Sequence, residues 1–187
     1  MGGNGATPTA DAIRTILKSQ YHAALAMLRE AVERCPDALW DDPRHGARCW
    51  QVAYHALFFA HFYGGRDEAS FRPWKGHQGD VQYPDGIAGD PDPKSPLPLV
   101  ARPYTKAEVL EFWAFCDGGV DAAVDALELD RADCGFDWYK VPKLEHAFVN
   151  IRHIQHHTAQ LATRLRQDAG IGIDWVGARR PKTEARG

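Results

Sequence analysis

The chain has 187 residues, a formal net charge of −3 and 44% hydrophobic residues, which suits one domain with a real core and excludes an intrinsically disordered chain. Acids and bases are interspersed, with no basic stripe to follow a phosphate backbone, so no nucleic-acid partner is expected. No run approaches the ~18 consecutive apolar residues of a membrane span, so no membrane association is expected.

Apolar residues at Ile13, Leu17, Ala24, Leu28 and Ala31 recur at helical spacing and predict a first helix from about Ala10 to Arg34. Thr7 or Thr9 can cap its start, and Pro36 ends it. Asp42-Pro43 reads as a cap followed by a proline suited to a first helical turn. A second helix is therefore expected from there through Trp50, Val52, Leu57, Phe58 and Phe62 to Gly64-Gly65. It is apolar almost all round, the mark of the most buried helix. Residues 64–103 hold many of the prolines and glycines, for example Tyr83-Pro84-Asp85-Gly86 and Asp90-Pro91-Asp92-Pro93. So long a connection is either a functional lid or a surface crossover, and Phe71, Trp74 and Tyr83 argue that part of it is ordered.

Thr105-Lys106-Ala107-Glu108 is a capping-box pattern that opens a third helix through Val109, Leu110, Trp113, Val120, Val124 and Leu127. Gly118-Gly119 weakens its middle. A fourth helix runs from near Pro142 to about Gln167, before Gly170, with Leu144, Ile151, Ile154, Leu161 and Leu165 on its apolar face. No strand pattern is present. The expected class is all-α, a four-helix bundle with a long irregular crossover between helices 2 and 3. Residues 1–178 form one domain, with Trp175 able to tuck back onto the bundle, and 179–187 a flexible basic tail.

Arg152-His153-Ile154-Gln155-His156-His157 is the most informative run. His153 and His157 are four residues apart, so both imidazoles lie on one helix face and can reach a single ion. On the helical wheel they sit at the edge of the apolar stripe, facing a groove between helices. His55, among Trp50, Tyr54, Leu57, Phe58 and Phe59 of the second helix, is a candidate third ligand. Its alternative reading is a core histidine satisfied by a backbone carbonyl. Three imidazoles can hold a zinc-like ion and leave a position open. His146 and Asn150 share the face of His153, as a further ligand or as hydrogen-bonding neighbours of one, and His156 points elsewhere as a neighbour or a solvent group. His61 points to another face, and His22, His45 and His77 read as surface groups. No His-Glu-x-x-His, repeated Glu-x-x-His, Gly-x-Ser-x-Gly, P-loop or Rossmann fingerprint occurs.

Met1-Gly2-Gly3-Asn4-Gly5 lacks the apolar centre of a signal peptide. The cysteines, Cys35, Cys49, Cys116 and Cys134, form no CxxC pair, so no disulfide framework is expected and the cytoplasm is the default location.

Three passages resemble the DinB/YfiT-like superfamily of helical-bundle proteins. Cys35-Pro36-Asp37-Ala38-Leu39-Trp40 is similar to the family's ending of helix one, and Trp50-Gln51-Val52-Ala53-Tyr54-His55-Ala56-Leu57 to its helix-two segment with a ligand histidine. The most specific passage is Ile151-Arg152-His153-Ile154-Gln155-His156-His157, followed by Gln160, Leu161 and Arg164. Thr158-Ala159 departs from the Arg-Gly that many members carry there. The resemblance covers most of residues 10–167. It implies one divalent transition metal, zinc or nickel, bound by His55, His153 and His157, with water or substrate completing the sphere. It further implies a metal-dependent hydrolase or a transferase for low-molecular-weight thiols, acting on a small-molecule substrate or thiol. The alternative is a non-catalytic metal- or ligand-binding stress-response module. Dimers are common in the family, and this sequence argues neither for nor against one. Glu145 and Glu111 are the nearest general-base candidates by helix.

Overall fold

The computed structural model describes residues 8–79, 81–83 and 102–179. Five helices and no strand are formed among them: α1 (Ala10–Arg34), α2 (Asp37–Trp40), α3 (Cys49–Gly64), α4 (Lys106–Asp125) and α5 (Lys143–Ala169). The class is therefore all-α. Each long helix packs on two others: α1 on α4 and α5, and α3 on α4 and α5.

The helix starts follow from local chemistry. Thr9 caps α1 by accepting from Ala12 N at 3.2 Å. Thr105 and Glu108 close a reciprocal box at the head of α4, with Glu108 N donating to Thr105 Oγ1 and Thr105 N to Glu108 Oε2. Each orphan donor so satisfied is worth about 1 kcal/mol. Gly170, at φ +68°, closes α5 in the left-handed region, where a Cβ is strained.

The expected start of the second long helix is corrected. Asp42 does not cap it; its carboxylate accepts from Arg44 N at 2.9 Å and pairs with the Arg44 guanidinium, turning the chain locally. α3 begins at Cys49 instead, where Gln51 Oε1 reaches back to Arg48 N at 2.7 Å. α1 ends at Arg34, before Pro36, as expected, and the following Asp37–Trp40 forms the one-turn α2. α2 anchors Trp40, whose indole donates to the Tyr104 carbonyl at 2.7 Å and holds the approach to α4 against the entry to α3.

α3 is buried on nearly every face, as its composition predicts. Burying each of its large side chains contributes roughly 1.5–3 kcal/mol. Tyr54 stacks on Tyr104 with ring centroids 4.5 Å apart, and Phe112 lies beside it. Two buried polar side chains tie α5 to α3 and its exit. Asn150 Nδ2 donates to Ala60 O at 3.1 Å, and Lys143 Nζ to the carbonyls of Gly65, Arg66 and Cys134.

Part of the long connection is packed: Trp74, Val81 and Gln82 are buried and Phe71 lies against the core. Residues 80 and 84–101, which include Pro84, Asp85, Gly86 and Asp90 to Pro93, lie outside the described residues, and so does a lid built from them. Trp175 does not tuck back, being 75% exposed; Val176 is buried instead, against Ala23 and Met27. Neighbouring side chains of a non-helical segment point to opposite sides, so only one of the two can face α1. Arg179 is held by the Asp121 carboxylate, and the remainder of the basic tail, 180–187, lies outside the described residues.

Candidate metal centre

α3 and α5 are in long contact, and that contact converts a four-residue spacing into a three-nitrogen cluster. His153 Nε2 lies 3.1 Å from His55 Nε2 and 3.0 Å from His157 Nε2. The three candidate donor atoms all fall within 4.8 Å of one another. His55 and His157 are 4% and 3% exposed, and His153 is half-buried. The site is therefore drier than the solvent-facing groove the helical wheel suggests. α3 covers the edge of the α5 stripe, which a wheel drawn on one helix does not show.

The outer ring nitrogens set the tautomers. His55 Nδ1 donates to the Gln82 carbonyl at 2.6 Å, and His157 Nδ1 to Gln160 Oε1 at 2.8 Å. With Nδ1 protonated and the ring neutral, Nε2 of each presents a bare lone pair. Burial, then the neighbouring His157, pushes His55 down to about 3. Burial, then His157 and His55, pushes His153 down to about 2, and burial pushes His157 down to about 4. All three rings are thus neutral at pH 7, the state in which imidazole ligates metals.

His153 Nε2 can donate a proton to one neighbour only, so at least one of the two short N···N contacts has no proton to bridge it. A cation satisfies that arrangement and a hydrogen-bond network does not. His153 Nδ1 is also buried with no hydrogen-bond partner among the described residues, so no acceptor ties down the proton that metal ligation through Nε2 would place there. The donor set fits a borderline-soft divalent transition metal.

The carbonyl partner of His55, taken from sequence as the mark of an ordinary core histidine, is what frees its other nitrogen. Gln160, one turn beyond His157, was recoverable from helical spacing. The Gln82 carbonyl was not, because it arrives from a loop. Gln160 Nε2 in turn faces His156 Nε2 at 3.3 Å, so exposed His156 stands outside the cluster as a neighbour. His146 is fully buried against Tyr63, Phe136 and Tyr139 and is not among the converging donors. Asn150 bonds α3 rather than the cluster. His61 Nε2 donates to the Arg72 carbonyl, apart from the cluster.

Three histidines expected at the surface are engaged. His22 sits between Asp117 and Asp121 at 2.6 and 3.1 Å, His45 meets Asp168 at 2.8 Å, and His77 Nδ1 meets the Tyr54 hydroxyl at 2.7 Å. Tertiary packing brought each a partner distant in sequence. Of the general-base candidates, Glu145 is exposed in the first turn of α5 and Glu111 pairs with Lys75 at 2.9 Å. All four cysteines are free and buried.

The family model of the DinB superfamily matches residues 20–161, spanning all three histidines. The chain belongs to the DinB superfamily. No curated protein and no solved structure matches it significantly.

Proposed function

We propose that this chain is a DinB-like four-helix-bundle protein that binds one divalent transition metal, zinc or nickel, through His55, His153 and His157. On this reading it acts on a small molecule as a hydrolase or a low-molecular-weight-thiol transferase. The observation that carries the metal is the convergence of three Nε2 atoms with two of their Nδ1 protons already fixed. When bound, such an ion supplies Lewis-acid chemistry, lowering the pKa of a water or thiol at the position that three imidazoles leave open.

The remaining work falls to the chain's own groups. The Gln82 carbonyl and Gln160 hold the Nδ1 protons of His55 and His157 and so keep the rings aimed. The Phe59 and Tyr63 rings stand 5.4 and 6.2 Å from the His153 ring and exclude water from that side. His153 is the most exposed of the three and His156 lies beside His157, so substrate approaches from that side. A cytoplasmic location and a homodimer belong to this reading.

The fates of Glu111 and Glu145 favour a second reading, a non-catalytic metal- or ligand-binding module: neither is placed as a base.

Metal content by mass spectrometry of untagged protein tests the site. Wild type is expected to carry about one metal per chain, and His55→Ala and His153→Ala none, with helical circular dichroism retained. A metal retained by His153→Ala removes the site; a wild type that takes up neither Zn²⁺ nor Ni²⁺ removes the proposal. Cobalt-substituted protein then separates the readings: a low-molecular-weight thiol that shifts the visible bands supports the transferase. Chelator-sensitive turnover of an ester or amide supports the hydrolase, and the absence of both leaves the binding module.

A further inference from the structure

A cavity lies away from the histidine cluster, with a volume of about 430 Å³ and walls from α1, α3, α4 and the segments that follow α3 and α4. None of the three clustered histidines lines it. Its size falls within the range of small-molecule sites. Its body is apolar: Leu25, Phe71, Phe115, Val120, Val124 and Leu127 contribute to the wall. Phe115 is 46% exposed and Phe71 half-buried, so apolar rings continue outward from the pocket.

The glycine pair in the middle of α4, a weak point by helix propensity, has one member at this cavity. Gly119 lines the cavity, and a Cβ built on it meets no atom within 4 Å. A larger side chain at that position would project into free space beside the wall, where glycine leaves room.

The charge lining the cavity is predominantly positive. Arg66, Arg72, Arg131 and Lys143 contribute to it, against Glu128 alone. Arg131 is paired with Asp133 through Nε and Nη2, yet its Nη1 is buried with no hydrogen-bond partner among the described residues. A donor left so costs about 1–3 kcal/mol. Lys143 is 2% exposed; its ammonium spends its three protons on carbonyls and feels the Asp67 and Asp133 carboxylates only at longer range. It supplies buried charge without a free donor. One unpartnered donor beside a buried ammonium suits a monoanionic carboxylate, whereas a phosphate head would call for several donors.

We propose that this cavity is a second ligand site, separate from the histidine cluster, that binds an amphipathic monocarboxylate of the fatty-acid type, its apolar body along α4 and its carboxylate toward Arg131 and Lys143. This inference stands independently of the metal reading.

Isothermal titration calorimetry with octanoate, and with 1-octanol as the uncharged comparison, tests it. Wild type is expected to bind one octanoate per chain saturably, and more tightly than octanol. Gly119→Leu and Ala123→Leu, two separate ways of filling the space from α4, should each weaken octanoate by about tenfold or more while metal content and helical circular dichroism stay at wild-type values. Arg131→Gln should weaken octanoate by about fivefold or more and leave octanol unchanged. No saturable heat up to millimolar octanoate, or unchanged affinity in both folded filling variants, overturns the site. Equal affinities for octanol and octanoate, or no effect of Arg131→Gln, overturn the assignment of the anion.

Discussion

At His146 both ring nitrogens are buried without a hydrogen-bond partner among the described residues, in a cage of Tyr63, Phe136 and Tyr139. Such a side chain contributes volume but leaves its polar atoms unsatisfied, so His146→Leu is expected to be neutral or stabilising by about 1 kcal/mol at pH 7. Burial, then the Lys143 charge, pushes His146 down to about 4. As pH falls, the unfolded chain takes up its proton first, near the ordinary value of 6.5. The contribution to stability is whole above about 6.5 and is lost as pH falls toward 4. Urea midpoints of metal-free protein should therefore be level above pH 7 and drop between pH 6.5 and 4, and less steeply in His146→Leu. Parallel curves for the two proteins would show that His146 does not titrate on unfolding.

Among the helices, glycines at two positions should respond with opposite signs. Gly170 ends α5 at φ +68°, a conformation that a Cβ strains, so Gly170→Ala is expected to cost about 1 kcal/mol. Gly119 lies inside α4 with open space around it, so Gly119→Ala should stabilise by up to about 1 kcal/mol. Thermal melts of the two variants check the pair, and a loss at both would mean that α4 needs its glycine for a reason other than room. The start of α4 offers a third case: Thr105→Ala removes the acceptor for Glu108 N and should cost about 1 kcal/mol. Element ends were well legible wherever one residue closes its own helix, by a side chain at Thr9 and Thr105 and by a left-handed backbone at Gly170. The start of α3 was not, because Asp42 spends its carboxylate on Arg44, a choice that the Asp-Pro pattern does not reveal.

For the whole molecule, α3 is the element on which the rest depends, with α4 and α5 packed against it and its interior residues wholly buried. Leu57→Ala should cost about 2–5 kcal/mol by urea denaturation, since the surrounding helices cannot collapse fully into the gap. The histidine cluster joins α3 to α5, so a bound metal would act as a clamp between them. Zn²⁺ should raise the melting temperature of wild type progressively with its concentration, by mass action on the folded state, and should leave His153→Ala unmoved. An equal rise in both proteins would place the stabilising ion elsewhere.

Sequence by itself determined the helical class, the bounds of α1, α4 and α5, and the pairing of His153 with His157 on one face. Each of these is encoded within a few residues, through periodicity, caps and a four-residue spacing. Family resemblance supplied His55 as their companion, where the residues around it alone favoured a core histidine. Only tertiary structure decided that the three Nε2 atoms meet, that the Gln82 carbonyl fixes the His55 tautomer, and that His146 is buried apart from them. It also decided that His22, His45 and His77 have partners. Apart from His153–His157, these hydrogen-bonding contacts join residues between 23 and 123 positions apart. Their distances depend on how helices pack against one another and against loops, and no local pattern carries that information.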